Sequence, residues 1–122
     1  MPIIAQVRDK AAFRGERFNG VPLNQTSQSK TMLVCLEPGQ AIPVHSPAVD
    51  LTLTILEGRA TVVCGDEELA DAGPGAVLVA KANEARGIHA DQRTLAVVMV
   101  SPPPTEADHA EVFEHLKRGT WR

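Results

Sequence analysis

Residues 38–58 read PGQAIPVHSPAVDLTLTILEG, and this stretch organises the rest of the chain. Pro38-Gly39 is a turn signal. A short apolar run then leads to one histidine, His45, and a loop-like Ser46-Pro47-Ala48 follows. From Asp50 the residues alternate: Leu51, Leu53 and Ile55 fall on one face, Thr52 and Thr54 on the other, the period of a half-buried strand. Glu57-Gly58 closes the run with a tight turn. The stretch is therefore a strand, a loop carrying a polar side chain, a second strand and a turn.

Working outward, the same grammar repeats. Lys30–Glu37 (KTMLVCLE) reads as a strand, as do Ala41–His45, Asp50–Leu56 and Arg59–Cys64. Gly65-Asp66 turns the chain into a short return strand, Glu67–Ala70. Ala72-Gly73-Pro74-Gly75 is a strong turn before Ala76–Ala80; Arg86–Ala90 and Thr94–Ser101 complete the set. Short, evenly spaced strands between Gly/Pro turns predict a closed barrel or sandwich. Upstream, residues 2–7 (PIIAQV) read as an edge strand, and residues 8–29 as a polar arm with one brief strand near Gly20–Leu23, able to reach across a dimer. Downstream, Pro102-Pro103-Pro104 ends the sheet. Thr105 and Asp108 form a capping pair for a helix over residues 105–119 with an apolar stripe of Ala110, Val112, Phe113 and Leu116. Lys117, Arg118 and Gly119 suit its C-terminus. His109 and His115 read as surface residues of that helix, and Trp121 as a packing anchor for the tail.

Composition narrows the function classes. The chain has 122 residues, enough for one domain with a real core. A net charge of −3 argues against a polyanionic partner such as DNA or RNA. Aromatic residues make up 3%, with no Tyr, so base-stacking platforms are lacking. The longest unbroken apolar run, Leu95–Val100, is far short of the roughly 20 residues that span a bilayer. The start, MPIIAQVRDK, lacks the pattern of a secretory signal. Cys35 and Cys64 lie in strand-like runs without CxxC spacing and read as reduced thiols, which predicts a cytoplasmic protein. Gly-rich phosphate loops and nucleophile motifs are not seen.

Gly39-QAIPV-His45 with Gly58, then Gly73-Pro74-Gly75 and Ala85-Arg86-Gly87-Ile88-His89-Ala90, resemble the two motifs of small single-domain cupins. The family's first motif runs Gly, five residues, His-x-His, three or four residues, Glu, six residues, Gly. Its second runs Pro-x-Gly, two residues, His. The resemblance covers about residues 30–104. It implies an all-β jelly-roll barrel, a double-stranded β-helix with a site in its lumen, often in a homodimer. Here it would fill a single domain, 1–122: arm 1–29, barrel 30–104 and C-terminal helix 105–119.

The resemblance also implies a divalent metal ion as cofactor, but its ligand set carries over at one position only. The first histidine is His45. The second falls on Pro47, the glutamate on Leu51 and the motif-two histidine on Arg86, with Lys81-Ala82-Asn83 in place of Pro-x-Gly. One imidazole does not hold a divalent ion, which needs about three protein donors. Asp50 or His89 would have to join His45. By alternation Asp50 faces away from Leu51 unless a bulge after Pro47 turns it, and His89 faces out if Arg86 faces in.

Arg86 is the sharpest departure. A guanidinium among lumen positions needs a partner, either internal, such as Glu37 or Glu84, or a bound anion; otherwise it sits on an exposed rim. Leu51, Leu53, Ile55, Val77, Val79, Val97 and Met99 read as lumen or core packing. The expected function is small-molecule binding in the barrel, with His45, Arg86, Leu51 and Leu53 around an anionic organic ligand. The alternatives are a metal-dependent cupin enzyme of dioxygenase or isomerase type, with His45, Asp50 and His89 as ligands, and a barrel kept as a dimer-forming module.

Overall fold

A computed structural model describes residues 3–122, and all structural statements concern these residues. They form two short-to-medium helices and nine strands in the order α1 (Val7–Lys10), β1 (Asn19–Gln25), β2 (Lys30–Leu36), β3 (Ala41–His45), β4 (Asp50–Glu57), β5 (Ala60–Cys64), β6 (Glu67–Ala72), β7 (Val77–Ala80), β8 (Arg86–Ala90), β9 (Thr94–Ser101) and α2 (Glu106–Arg118). The strands pair antiparallel into two sheets, β1-β2-β9-β4-β7 and β3-β8-β5-β6. Both sheets turn an apolar face inward, and these faces fill the barrel. Val34, Leu36, Leu53, Ile55, Leu78, Ile88, Val98 and Val100 are among its buried residues. This is the all-β jelly roll the sequence predicts, with a C-terminal helix.

The turn at Gly58 shows how the sequence closes it. Gly58 has φ of 100°, a left-handed value that an L side chain resists. A Cβ there would also run into the carbonyl of Arg93 and into Thr94, so the β4–β5 turn nests against the start of β9.

Several expectations are corrected. Residues 3–6 form no strand and Val7–Lys10 is a helical turn; Pro2, the start of the expected edge strand, lies outside the described residues. The brief strand near Gly20 is the longer β1, so the barrel sheet begins inside the arm. Pro22 sits beside a register shift in this edge strand, where its missing N–H does least harm. Val77, Val79 and Met99 are not core: they are 57%, 64% and 50% exposed. Leu53 lies opposite both Leu78 and Val98, and residues opposite each other share a face. The inner residues of β7 and β9 are therefore Leu78, Ala80, Ala96, Val98 and Val100. Runs such as AVLVA and LAVVMV are apolar on both faces, so the sequence does not mark which face is buried.

The other face of the five-stranded sheet is half covered. Leu33, Cys35 and Leu95 are buried there under Val7, Ala11 and Phe13 of the arm, with Val97 beside them. Arg8 pairs with Glu57 and Arg93 lies over the Phe13 ring, which fastens the arm down.

Helix α2 carries the expected capping box of Thr105 and Asp108, and ends at Gly119. It packs on β3. Val112 is its buried residue, while Phe113 is 49% exposed. His109 and His115 are half-buried rather than surface residues. The packed face is thus the row 109, 112, 116 at helical spacing, one step round from the row containing Phe113.

Candidate functional site

The site begins with a ladder irregularity. β3 and β8 pair Ile42 with Ile88 and His45 with Arg86, so three steps on β3 span two on β8. The extra residue is a β-bulge at Pro43-Val44. Pro43 has no N–H to offer the ladder. The Val44 N–H, released from the ladder, donates to the carbonyl of Trp121 at 2.7 Å. The bulge restores alternation, so His45 and Arg86 share the inner face with Ile88. Gly87 lies on the other side, where a Cβ would stand 2.6 Å from Val44 Cγ2.

His45 is 8% exposed. Its Nδ1 lies 2.8 Å from the carbonyl of Pro43. A carbonyl only accepts, so Nδ1 carries the proton and Nε2 holds the lone pair. Burial pushes the His45 pKa below its ordinary 6.5, against the Pro43 carbonyl, which raises it; Arg86 and His109 lower it further. The ring is neutral at neutral pH.

Arg86 is 2% exposed, so it is no rim residue. Its Nε donates to the Glu84 carbonyl at 3.1 Å, Nη1 to the Val49 carbonyl at 2.8 Å and Nη2 to the Lys81 carbonyl at 2.8 Å. The guanidinium thereby clips the loops 46–49 and 81–84 to β8. The partners expected for it are engaged elsewhere. Glu37 pairs with Arg93 at 3.0 Å, and the Glu84 carboxylate accepts the Lys81 N–H at 2.7 Å. Burial pulls the Arg86 pKa down, yet a guanidinium stays charged at neutral pH. Among the described residues no carboxylate reaches ion-pair distance of it.

Over this pair lies the start of α2. Asp108 accepts the Thr105 N–H at 2.8 Å through one oxygen and the Ala48 N–H at 3.1 Å through the other. Those bonds hold its carboxyl below the usual range. Leu53 is buried in the barrel and Leu51 packs partly buried beside it.

The remaining expected site residues stand apart. Asp50 is exposed and accepts the Ala82 N–H at 2.8 Å, facing away from Leu51 as alternation requires. His89 points out of the barrel; its Nδ1 lies 3.3 Å from Asp91 Oδ1 and its ring 5.4 Å from that of Trp121. Its outward aim, opposite to Arg86, follows the alternation read from the sequence. The structure thus joins His45 to Arg86, and leaves Asp50 and His89 outside. Among the described residues no three of His, Cys, Asp and Glu converge in a group able to hold a metal ion. The donor set does not fit the cofactor that the family pattern implies.

The sequence reading missed the clefts outside the barrel. One, of about 290 Å³, lies between the arm, the 39–43 turn and the tail, and includes Arg17, Phe18, His89 and Trp121. Another, of about 300 Å³, lies under the arm between Arg8, Phe13, Glu57 and Arg93. Each joins segments far apart in the chain, so no local motif announces it.

Neither a family model nor a curated protein sequence matches the chain. Solved structures do. TT1209 from Thermus thermophilus is 29% identical, with a TM-score of 0.76 over 81% of this chain and 96% of its own. An RmlC-like cupin from Desulfovibrio desulfuricans is 27% identical, with a TM-score of 0.75 over 84% and 99%. A protein with a double-stranded β-helix domain from Klebsiella pneumoniae shares the fold at 21% identity, with a TM-score of 0.73 over 84% and 91%. With the two-sheet barrel, the His45 and Gly58 motif positions and these structural neighbours together, the chain folds as a small cupin domain similar to RmlC-like cupins, with other residues at most of the metal-ligand positions.

Proposed function

We propose that this cupin binds a small anionic organic molecule at the mouth of its barrel, between β3 and β8. Arg86 supplies the charge, neutral His45 offers Nε2, and Leu51 and Leu53 form the apolar side. One observation supports the reading above others: Arg86 is a buried cation whose hydrogen bonds end on neutral carbonyls. These use three of its five N–H groups, and among the described residues no carboxylate contacts it directly, while Asp50, Glu84 and Asp108 lie near enough to favour its charged form; a bound anion would supply the direct partner it lacks. The free thiols Cys35 and Cys64 fit a reducing compartment such as the cytoplasm.

The test is a thermal-shift panel of malate, succinate, citrate and inorganic phosphate. At least one should raise the melting temperature of the wild type by mass action and lose that effect in His45→Ala. A flat panel on the wild type rejects the reading.

A second reading, a dimer-forming module, is favoured by the bare half of the five-stranded sheet. Val79, Thr52 and Met99 form one cross-strand row there, and Val77, Thr54 and Val97 the next, with no charge among them. Exposed apolar patches of this kind mark interaction surfaces. A second copy seated on this face predicts a dimer by sedimentation equilibrium that Val79→Lys converts to monomer. A monomeric wild type overturns it.

A further inference from the structure

The cleft between arm and tail has walls held by hydrogen bonds. Gln40 is fixed from both ends: its Oε1 accepts the Glu37 N–H at 2.9 Å, and its Nε2 donates to the Arg14 carbonyl at 2.6 Å. The tail is held by the Val44 N–H on the Trp121 carbonyl and by His115 Nδ1 with Thr120 Oγ1, 2.8 Å apart. Arg122 covers the Trp121 ring and pairs with Glu68. Such a cleft is formed before any ligand arrives, which lowers the ordering cost of binding.

Two groups in it have chemistry to spare. His89 is oriented by Asp91, whose other carboxylate oxygen accepts from Thr61 Oγ1 at 3.2 Å. A carboxylate on Nδ1 fixes the proton there and leaves Nε2 as an acceptor. Arg17 lies over the Phe18 ring at 5.6 Å, while its neighbour Glu16 is taken by Arg14 at 3.4 Å. Among the described residues no carboxylate lies within ion-pair distance of Arg17. The apolar part of the lining is Phe18, Pro43, Leu116 and Trp121, with Glu16, Gln40 and Thr120 also on the walls. About 290 Å³ stands at the small end of ligand pockets, which start near 300 Å³.

We propose that this cleft, on the outer face of the β3–β8 pair and separate from the barrel mouth, is a second small-molecule site. It takes a compact organic acid: the carboxylate on Arg17, a flat or apolar body against Phe18 and Leu116, and a hydrogen-bond donor at the far end on His89 Nε2. Two groups of opposite role across an apolar floor select for length as well as charge.

The single tryptophan of the chain lies in this cleft, so its emission reports on it alone. The probe is para-hydroxybenzoate, followed by Trp121 emission and by calorimetry. Saturable binding is expected, with benzoate (no donor) and para-hydroxybenzamide (no charge) each about tenfold weaker. Arg17→Gln should erase the preference for the acid over the amide. His89→Phe keeps a ring against Trp121 and should erase the preference for para-hydroxybenzoate over benzoate. His45→Ala should leave every one of these constants unchanged, which separates this cleft from the barrel mouth. The proposal is overturned if no probe gives a saturable response, if both cleft variants bind as the wild type does, or if His45→Ala abolishes binding.

Discussion

The β3–β8 pair carries histidines on both faces, and the two faces treat polar groups in opposite ways. Inside, His45 and Arg86 are buried and bonded mainly to main-chain carbonyls. Outside, His89 and Arg17 sit at a half-open cleft with side chains to spare. A buried polar group must be satisfied by what is fixed around it, and the main chain is the most rigid partner available. A group at a cleft can leave a valence to a ligand, because water meets it meanwhile. The inner face therefore couples polar chemistry to folding, and the outer face separates the two.

Substitutions on each face should break the comparison if it is wrong. Arg86→Met strands three carbonyls and the loops they belong to; its expected cost is about 3 kcal/mol or more by chemical denaturation. Arg17→Gln, an exposed change, should stay within about 0.5 kcal/mol of wild type. Equal effects would erase the distinction. Gly87→Ala presses a methyl onto Val44 at the bulge, and should cost about 1–3 kcal/mol.

A smaller effect tests the inner histidine by pH. His45 has its folded pKa below its ordinary 6.5, so the native state holds fewer protons than the unfolded chain. Stability therefore falls as pH drops below about 6.5, until the folded pKa is passed. His109 and Glu111 on α2 and Arg86 on β8 face the same ring, so the comparison is made within one background. In His45→Gln the melting temperature should fall less steeply over this window; an unchanged slope would mean that His45 does not titrate on unfolding. The smallest effect expected is chemical. Burial raises both thiols, Cys35 and Cys64, so both should label slowly with a disulfide reagent in native protein, and quickly once it is denatured.

The fold was legible because its signals are local. Gly39, His45 and Gly58 keep the family spacing, Asp50–Leu56 alternates, and β3, β8 and β9 have the bounds read from turns and composition. The inward face of β7 and β9 was not legible, since Val77–Ala80 and Leu95–Val100 are apolar on both sides and only pairing with β4 decides the matter. The opposed aims of Arg86 and His89 followed from strand period. The bulge was not read, although its mark was there: it sits at Pro43-Val44, not after Pro47, and a proline inside AIPVH cannot donate to a ladder and so signals an edge or bulged strand. The carbonyls that hold Arg86 were invisible because main-chain acceptors leave no trace in residue type. His109 was misread because its burial depends on how α2 rolls onto β3.

The bulge has one more consequence. It turns His45 inward and, by freeing the Val44 N–H, also holds the tail whose Trp121 walls the outer cleft. A single defect in one ladder thus sets the geometry of both faces, and it couples the residues beside it in folding stability. A double-mutant cycle between Gly87→Ala and Trp121→Ala should show it as non-additivity in stability, although neither side chain lies in the barrel.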